Sequence, residues 1–226
     1  MRYEHMLKKL DHTCLSPTAK WEDIKSVCED GLRNNVATVC IPPAYVNQAR
    51  ECFGRKIKIS TVVGFPNGYS VTSVKIKEIE EMIKLGASEI DMVINLGFVK
   101  DKKYNRIFDE IRFAKDVLEN KVLKVIVETC LLDNQEKIKL CEIITESGAD
   151  FIKTSTGFSH RGAEIDDIIL FKKYLGNNIK IKASGGINSI EKAREFFDLG
   201  VERIGSSNLL DLVVTKMKKI TFGDDE

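Results

Sequence analysis

The chain has 226 residues and no long Pro-, Gly- or Ser-rich linker, so a single domain over residues 1–226 is the expectation. Hydrophobic residues make up 43% of it, the formal net charge is +1, and lysine and glutamate are interspersed, which excludes nucleic acid or an anionic membrane as the principal partner. No 18-residue apolar run and no secretory leader is visible, and six scattered cysteines without a C-x-x-C read as reduced thiols, so a cytoplasmic location is expected.

After a short N-terminal helix carrying His5, apolar runs recur at regular intervals. They are "LDHTC" (10–14), "VATVCI" (36–41), "IKISTVV" (57–63), "EIDMVINL" (89–96), "LKVIVET" (123–129), "ADFIKTS" (149–155), "IKIKAS" (179–184) and "ERIGSS" (202–207). All but the first are short and β-branched, as buried parallel strands are. Segments of helical period lie between them. Ile107, Ile111, Ala114 and Leu118 form one stripe, Ile138, Cys141 and Thr145 a second, and Ile190, Ala193 and Phe197 a third. "EDGLRNN", "KLGASEI", "ESGADFI" and "DLGVERI" each place a glycine where a helix would close before the next strand. Eight strand–helix units in this length predict an α/β fold, a closed (β/α)8 TIM barrel. The alternative, an open doubly wound sheet, usually carries a glycine fingerprint after its first strand, and no G-x-G-x-x-G is present.

In a barrel, alternate strand residues face inward and chemistry sits at the C-terminal mouth. Lys153 is expected two residues before the end of its strand and Lys182 at the same place on the next, about 4.8 Å away. Two ammonium groups roughly 5 Å apart at an effective dielectric near 20 repel by about 3 kcal/mol. Such repulsion, with desolvation added, would depress one lysine by on the order of two pKa units and leave a free amine able to attack a carbonyl. Taken singly, each lysine could instead be snorkelling. Asp91, in "EIDMVIN", needs a buried partner, and the lysine pair is the candidate; a purely structural salt bridge is the competing reading. Asp11 raises the same question. "TSTGF" (154–158), "SGGI" (184–187) and "GSSN" (205–208) follow the last three strands and could cradle a phosphate.

Taken together, "LDHT", "VVGFPNG", "EIDMVINLG", "LKVIVET", "FIKTSTGF" and "KASGGI" resemble the deoxyribose-phosphate aldolases, class I aldolases, from about residue 10 to residue 210. The resemblance implies reversible cleavage of 2-deoxy-D-ribose 5-phosphate to acetaldehyde and D-glyceraldehyde 3-phosphate, in deoxynucleoside breakdown, without a metal or organic cofactor. It implies that Lys153 forms the Schiff base, that Lys182 perturbs it, and that Asp91 handles protons. Asp11, Cys40 and Thr156 match substrate-site residues, and Gly157, Gly185, Gly186, Ser206 and Ser207 match the phosphate pocket. The implied partners are a small phosphorylated sugar and aldehydes, and the implied assembly is a homo-oligomer, dimer or tetramer.

The chain departs from the family pattern in three places. "SHRGAE" brings His160 and Arg161 beside the phosphate loop, where solvent exposure is expected. Phe158 stands where some members have a lysine, and "TFGDDE" lacks the C-terminal tyrosine that some members carry. A metal-dependent isomerase would need converging histidines and carboxylates, and the only histidines are His5, His12 and His160. A catalytically silent phosphosugar-binding barrel is the remaining alternative, and retention of Lys153, Lys182 and Asp91 argues against it.

Overall fold

The computed structural model describes residues 1–222. Eight strands form one closed, all-parallel barrel in chain order, with β8 returning to pair with β1. They are β1 (Leu10–Thr13), β2 (Thr38–Ile41), β3 (Ile59–Val63), β4 (Glu89–Val93), β5 (Val122–Ile126), β6 (Phe151–Lys153), β7 (Lys180–Ser184) and β8 (Arg203–Ser206). The helices are α1 (Tyr3–Leu7), α2 (Trp21–Arg33), α3 (Val46–Phe53), α4 (Thr72–Leu85), α5 (Leu96–Lys100), α6 (Tyr104–Leu118), α7 (Asn134–Ser147), α8 (Ile165–Tyr174), α9 (Ile190–Asp198) and α10 (Leu209–Phe222). The helix α1 precedes the first strand, and every strand is followed by at least one helix. The fold is therefore the expected (β/α)8 barrel. No helix among the described residues is long and apolar enough to cross a membrane.

The apolar core lies between the sheet and its ring of helices. Val39, Ile41, Ile59, Ile90, Met92, Leu123, Val125, Ile152, Ile181 and Ile204 face outward from the strands into it. In α6 the stripe Ile107, Ile111, Ala114 and Leu118 is wholly buried, as its spacing predicts. The α7 stripe is rotated from the expected one. Leu140, Cys141, Ile143 and Ile144 are buried, while Thr145 is only partly buried and uses its hydroxyl on the Cys141 carbonyl and the Gly176 amide.

Two further expectations are corrected. Gly31 does not close α2; it lies inside the helix, where a Cβ would sit 2.5 Å from Val39 Cγ1, and Asn35 takes the positive φ instead. Gly86, Gly148 and Gly200 do follow their helices with positive φ. The strand β6 ends at Lys153 rather than two residues later, because Thr154 and Ser155 already belong to the loop. Likewise β4 stops at Val93 and β5 at Ile126, before the residues that "EIDMVINL" and "LKVIVET" suggested. The 223–226 tail, within the segment where a tyrosine is sought, lies outside the described residues.

Candidate active site

With the apolar residues of each strand turned outward, the alternate set points into the barrel, and that set is largely charged. Adjacent register places Lys153 beside Lys182, Asp91 beside Lys124, and Lys182 beside Arg203. The interior thereby collects Asp11, Glu89 and Asp91 with Lys124, Lys153, Lys182 and Arg203. All seven are buried except Arg203, whose side chain is 14% exposed.

Asp91 is the hub. Its Oδ2 accepts from Lys153 Nζ and Lys182 Nζ, both at 2.7 Å, so the two nitrogens lie within twice that distance of each other. Its Oδ1 accepts from Lys124 Nζ at 2.8 Å and from Ser60 Oγ at 3.2 Å. Lys182 also donates to Asp11 Oδ2, and Thr38 Oγ1 and Arg203 Nη1 donate to Asp11 Oδ1. Arg203 in turn reaches Glu89 at 3.0 Å.

The electrostatic outcome differs among these groups. Burial would raise the Asp91 carboxyl, but Lys124, Lys153 and Lys182 outweigh it and hold it well below the usual range. Asp11 is likewise lowered against its burial, by Lys182, Lys124 and Arg203. Burial opposes the charge on Lys182 and Lys124 too, yet the surrounding carboxylates raise both. Lys153 alone among the interior lysines is lowered. Burial is the first cause, Asp91 opposes it, and repulsion from Lys182 adds to it. The sequence reading thus has the direction right and the order of causes reversed: desolvation comes before the lysine pair.

Above this charged floor opens a cavity of about 490 Å³. The three loops expected to bind phosphate line it, through Thr156–Phe158, Ser184–Ile187 and Gly205–Asn208, and the loop after β1 adds Thr13 to Ser16. Gly185 has φ +81° and Gly157 φ +88°, conformations that bring main-chain atoms rather than side chains to the surface. The loops fit closely, since a Cβ on Gly162 would lie 2.1 Å from the Gly185 oxygen. Ser206 Oγ accepts from the Leu209 amide at the start of α10. Among the described residues Lys153 is the only charged side chain lining the cavity.

Gly157, Gly185, Gly186, Ser206, Ser207 and Thr156 therefore share one cavity with Lys153, while Asp91 and Lys182 sit directly beneath it. Asp11 and Cys40 do not line it as expected of substrate-site residues. Both are buried in the floor, where Asp11 is a counterion of Lys182, and burial raises the Cys40 thiol. His160 and Arg161 are exposed and absent from the cavity wall, as anticipated. His12 is buried on the opposite face of β1 from Asp11, and His5 lies in α1.

Sequence reading missed Lys124, Glu89, Arg203 and Glu128. Lys124 carried the same signal as Lys153, a lone lysine inside "LKVIV", and Glu89 shares a strand face with Asp91 two residues on. Glu128 has positive φ (53°), and its buried carboxylate accepts from the Thr156 amide and hydroxyl. No local pattern announces that contact, which joins the ends of two strands.

A lysine whose charge burial disfavours, at the base of a mouth lined by glycines and hydroxyls on this fold, defines the class: a (β/α)8-barrel lyase. Residues 5–203 match the model of the DeoC/LacD family aldolases. The deoxyribose-phosphate aldolase of Clostridioides difficile (strain 630) is 50% identical over 210 residues, which cover 93% of this chain and 96% of that protein. That of Clostridium botulinum (strain Alaska E43 / Type E3) is 49% identical over 213 residues, 94% of this chain and 96% of its own. Among solved structures, the aldolase QR15 superposes with a TM-score of 0.91 at 36% identity, covering 96% of this chain and 98% of its own. The tetrameric deoxyribose phosphate aldolase of Aeropyrum pernix gives 0.86 at 27% identity, over 97% and 93%. The chain belongs to the DeoC/LacD family of aldolases.

Proposed function

We propose that this aldolase cleaves 2-deoxy-D-ribose 5-phosphate reversibly to acetaldehyde and D-glyceraldehyde 3-phosphate, with Lys153 as the Schiff-base lysine. The observation that carries the reading is the position of Lys153, among the described residues the only charged side chain reaching the cavity and the only lysine inside the barrel whose charge is disfavoured. The phosphate occupies the loops around Gly157, Gly185, Gly186, Ser206 and Ser207. The sugar extends down to Lys153.

In the cleavage direction, the neutral amine of Lys153 attacks the C1 aldehyde of the open-chain sugar, and loss of water gives an iminium ion. A base removes the proton of the C3 hydroxyl, the C2–C3 bond breaks, and its electron pair flows into the iminium to give an enamine. Glyceraldehyde 3-phosphate leaves. Protonation of the enamine at C2 and addition of water release acetaldehyde and restore the amine. Asp91, bridging Lys153 and Lys182 through one oxygen, supplies the route by which protons pass between the lysines and bound water. Lys182 keeps its charge and favours the neutral form of Lys153. Thr156, tied to Glu128, positions the loop that begins the anion site. Asp11 and Cys40 shape the floor.

The reading extends to a single working unit over residues 1–226, a cytoplasmic site of action in deoxyribonucleotide catabolism, and a homo-oligomer, dimer or tetramer. The tetramer of the Aeropyrum relative supports the last point.

The test is to incubate the protein with acetaldehyde, reduce with borohydride and map the modified peptide by mass spectrometry. A two-carbon adduct confined to Lys153 near neutral pH is expected, together with loss of retro-aldol activity in Lys153→Ala. Adducts spread over surface lysines, or full activity in that variant, would reject the assignment.

A further inference from the structure

We propose that Lys124 is a positioning residue of the reaction: it fixes the orientation of Asp91 from below and supplies the cation that frees Lys153 from serving as a counterion. The proposal rests on the Schiff-base role of Lys153 and concerns how that amine is kept available.

Geometry comes first. Lys124 Nζ lies 2.7 Å from Glu89 Oε2, 2.8 Å from Asp91 Oδ1, 3.1 Å from Ser60 Oγ and 3.6 Å from Asp11 Oδ2. It thus contacts all three carboxylates of the interior from a strand that faces β1 across the barrel. By occupying Oδ1 of Asp91 together with Ser60, it leaves Oδ2 turned toward Lys153 and Lys182. Lys124 itself is fully buried and does not line the cavity, so it does not touch substrate.

Charge parity comes second. Among the described residues the titratable or charged side chains facing this cluster are Asp11 on β1, Cys40 on β2, Glu89 and Asp91 on β4, Lys124 on β5, Lys153 on β6, Lys182 on β7 and Arg203 on β8. The strand β3 contributes only the neutral Ser60. Cys40 stays protonated, because burial raises its thiol. Four potential cations therefore face three carboxylates. In a buried cluster the surplus charge is expelled from the member least compensated. Lys124, Lys182 and Arg203 each contact two or more carboxylates. Lys153 contacts one, Asp91, which it shares with Lys182. Lys153 is the member that gives up its proton.

If Lys124 is lost, three carboxylates face only Lys153, Lys182 and Arg203. Parity then demands a protonated Lys153. If Glu89 is neutralised instead, the cation surplus grows and Lys153 is pushed further toward the amine. Opposite single changes give opposite shifts, and combining them restores the original surplus.

The experiment measures the acid limb of the pH profile of kcat/KM, alongside borohydride trapping of the Lys153 adduct as a function of pH, in wild type, Lys124→Met, Lys124→Arg, Glu89→Gln and the Lys124→Met/Glu89→Gln double variant. The expected result is an upward move of the acid limb by about one pH unit or more in Lys124→Met, with about a tenfold or greater loss at pH 7 that alkaline pH recovers, since one unit is a tenfold change in amine fraction. Glu89→Gln moves the limb downward. Lys124→Arg keeps the limb near its wild-type position whatever its rate, and the double variant returns toward it. An unmoved limb in Lys124→Met, shifts of the same sign in Lys124→Met and Glu89→Gln, or Lys124→Arg as shifted as Lys124→Met would overturn the proposal. Should Lys124→Met fail to fold, the direction of the shift in Glu89→Gln decides alone. Trapping in wild type separates the two readings: an adduct on Lys153 with unmoved limbs rejects only the role of Lys124, whereas no adduct on Lys153 rejects the Schiff-base assignment itself.

Discussion

Asp91 divides its two oxygens between two kinds of cation, and that division sets the chemistry at the residue scale. Lys124 below fixes the carboxylate, and Lys153 and Lys182 above share its other oxygen. Folding disfavours the charged form of Lys153, chiefly through burial. A lysine whose folded value lies below its unfolded one detracts from stability wherever the unfolded chain keeps the proton, below about pH 10.4, and ceases to do so above it. Each unit of depression costs the native state about 1.4 kcal/mol. Lys153→Met, close in volume and uncharged, therefore raises Tm at pH 7 while abolishing activity, and the gain shrinks as pH approaches 10. Melting curves from pH 6 to 10 check this; a lower Tm at neutral pH, or a gain that ignores pH, contradicts it. Lys153, Lys182 and Asp91 were legible because a charge inside an apolar strand is conspicuous. Glu128 was not, because its partner Thr156 is 28 residues away and the residue itself sits in a left-handed turn that no local pattern marks.

Elements meet through glycines in two distinct ways. At Gly31 the helix α2 rests on β2, and an added methyl would press on the Val39 side chain. At Gly162 the loop after β6 crosses the loop after β7 backbone to backbone, with the Gly185 carbonyl in the way of any side chain. Gly31→Ala is expected to destabilise by about 1–3 kcal/mol through overpacking and to leave steady-state kinetics unchanged. Gly162→Ala moves the anion-binding loops instead, so KM for the phosphorylated substrate rises by roughly tenfold or more while kcat changes less. Kinetics and thermal melts of the two variants separate the roles; an unchanged KM in Gly162→Ala would show that the crossing does not position the anion site. The stripe of α6 was readable from its period of 3.6. That of α7 was not, because its partly buried Thr145 serves as a hydrogen-bonding link to Gly176 rather than as a core residue.

Across the whole molecule, stability and chemistry occupy separate layers. Apolar packing holds the sheet to its helices, while the barrel interior is given over to a charge network with a glycine- and hydroxyl-lined mouth above it. Among the described residues the mouth offers glycines, hydroxyls and main-chain groups and a single charged side chain, Lys153, so a phosphate bound there as proposed is held chiefly by hydrogen bonds from the loops. Hydrogen bonds to a charged group are worth about 1.5–3 kcal/mol each. Unphosphorylated 2-deoxyribose, which forgoes several of them, is expected to show kcat/KM lower by on the order of 100-fold or more. Steady-state comparison of the two sugars checks this, and near-equal values would place the phosphate outside the loops.

The sequence by itself determined the order and kind of the elements, the closed barrel they make, the two conspicuous lysines with Asp91, and the three glycine loops at the mouth. Those are local signals: β-branched runs, helical period, and glycine or charge at particular offsets. Only the tertiary structure decided which charges meet. Barrel closure brings Asp11 on the first strand to Lys182 and Arg203 on the last two and to Lys124 across the interior. The protonation of Lys153 follows from that gathering, because in a buried space the charge on one side chain depends on all the others sharing it.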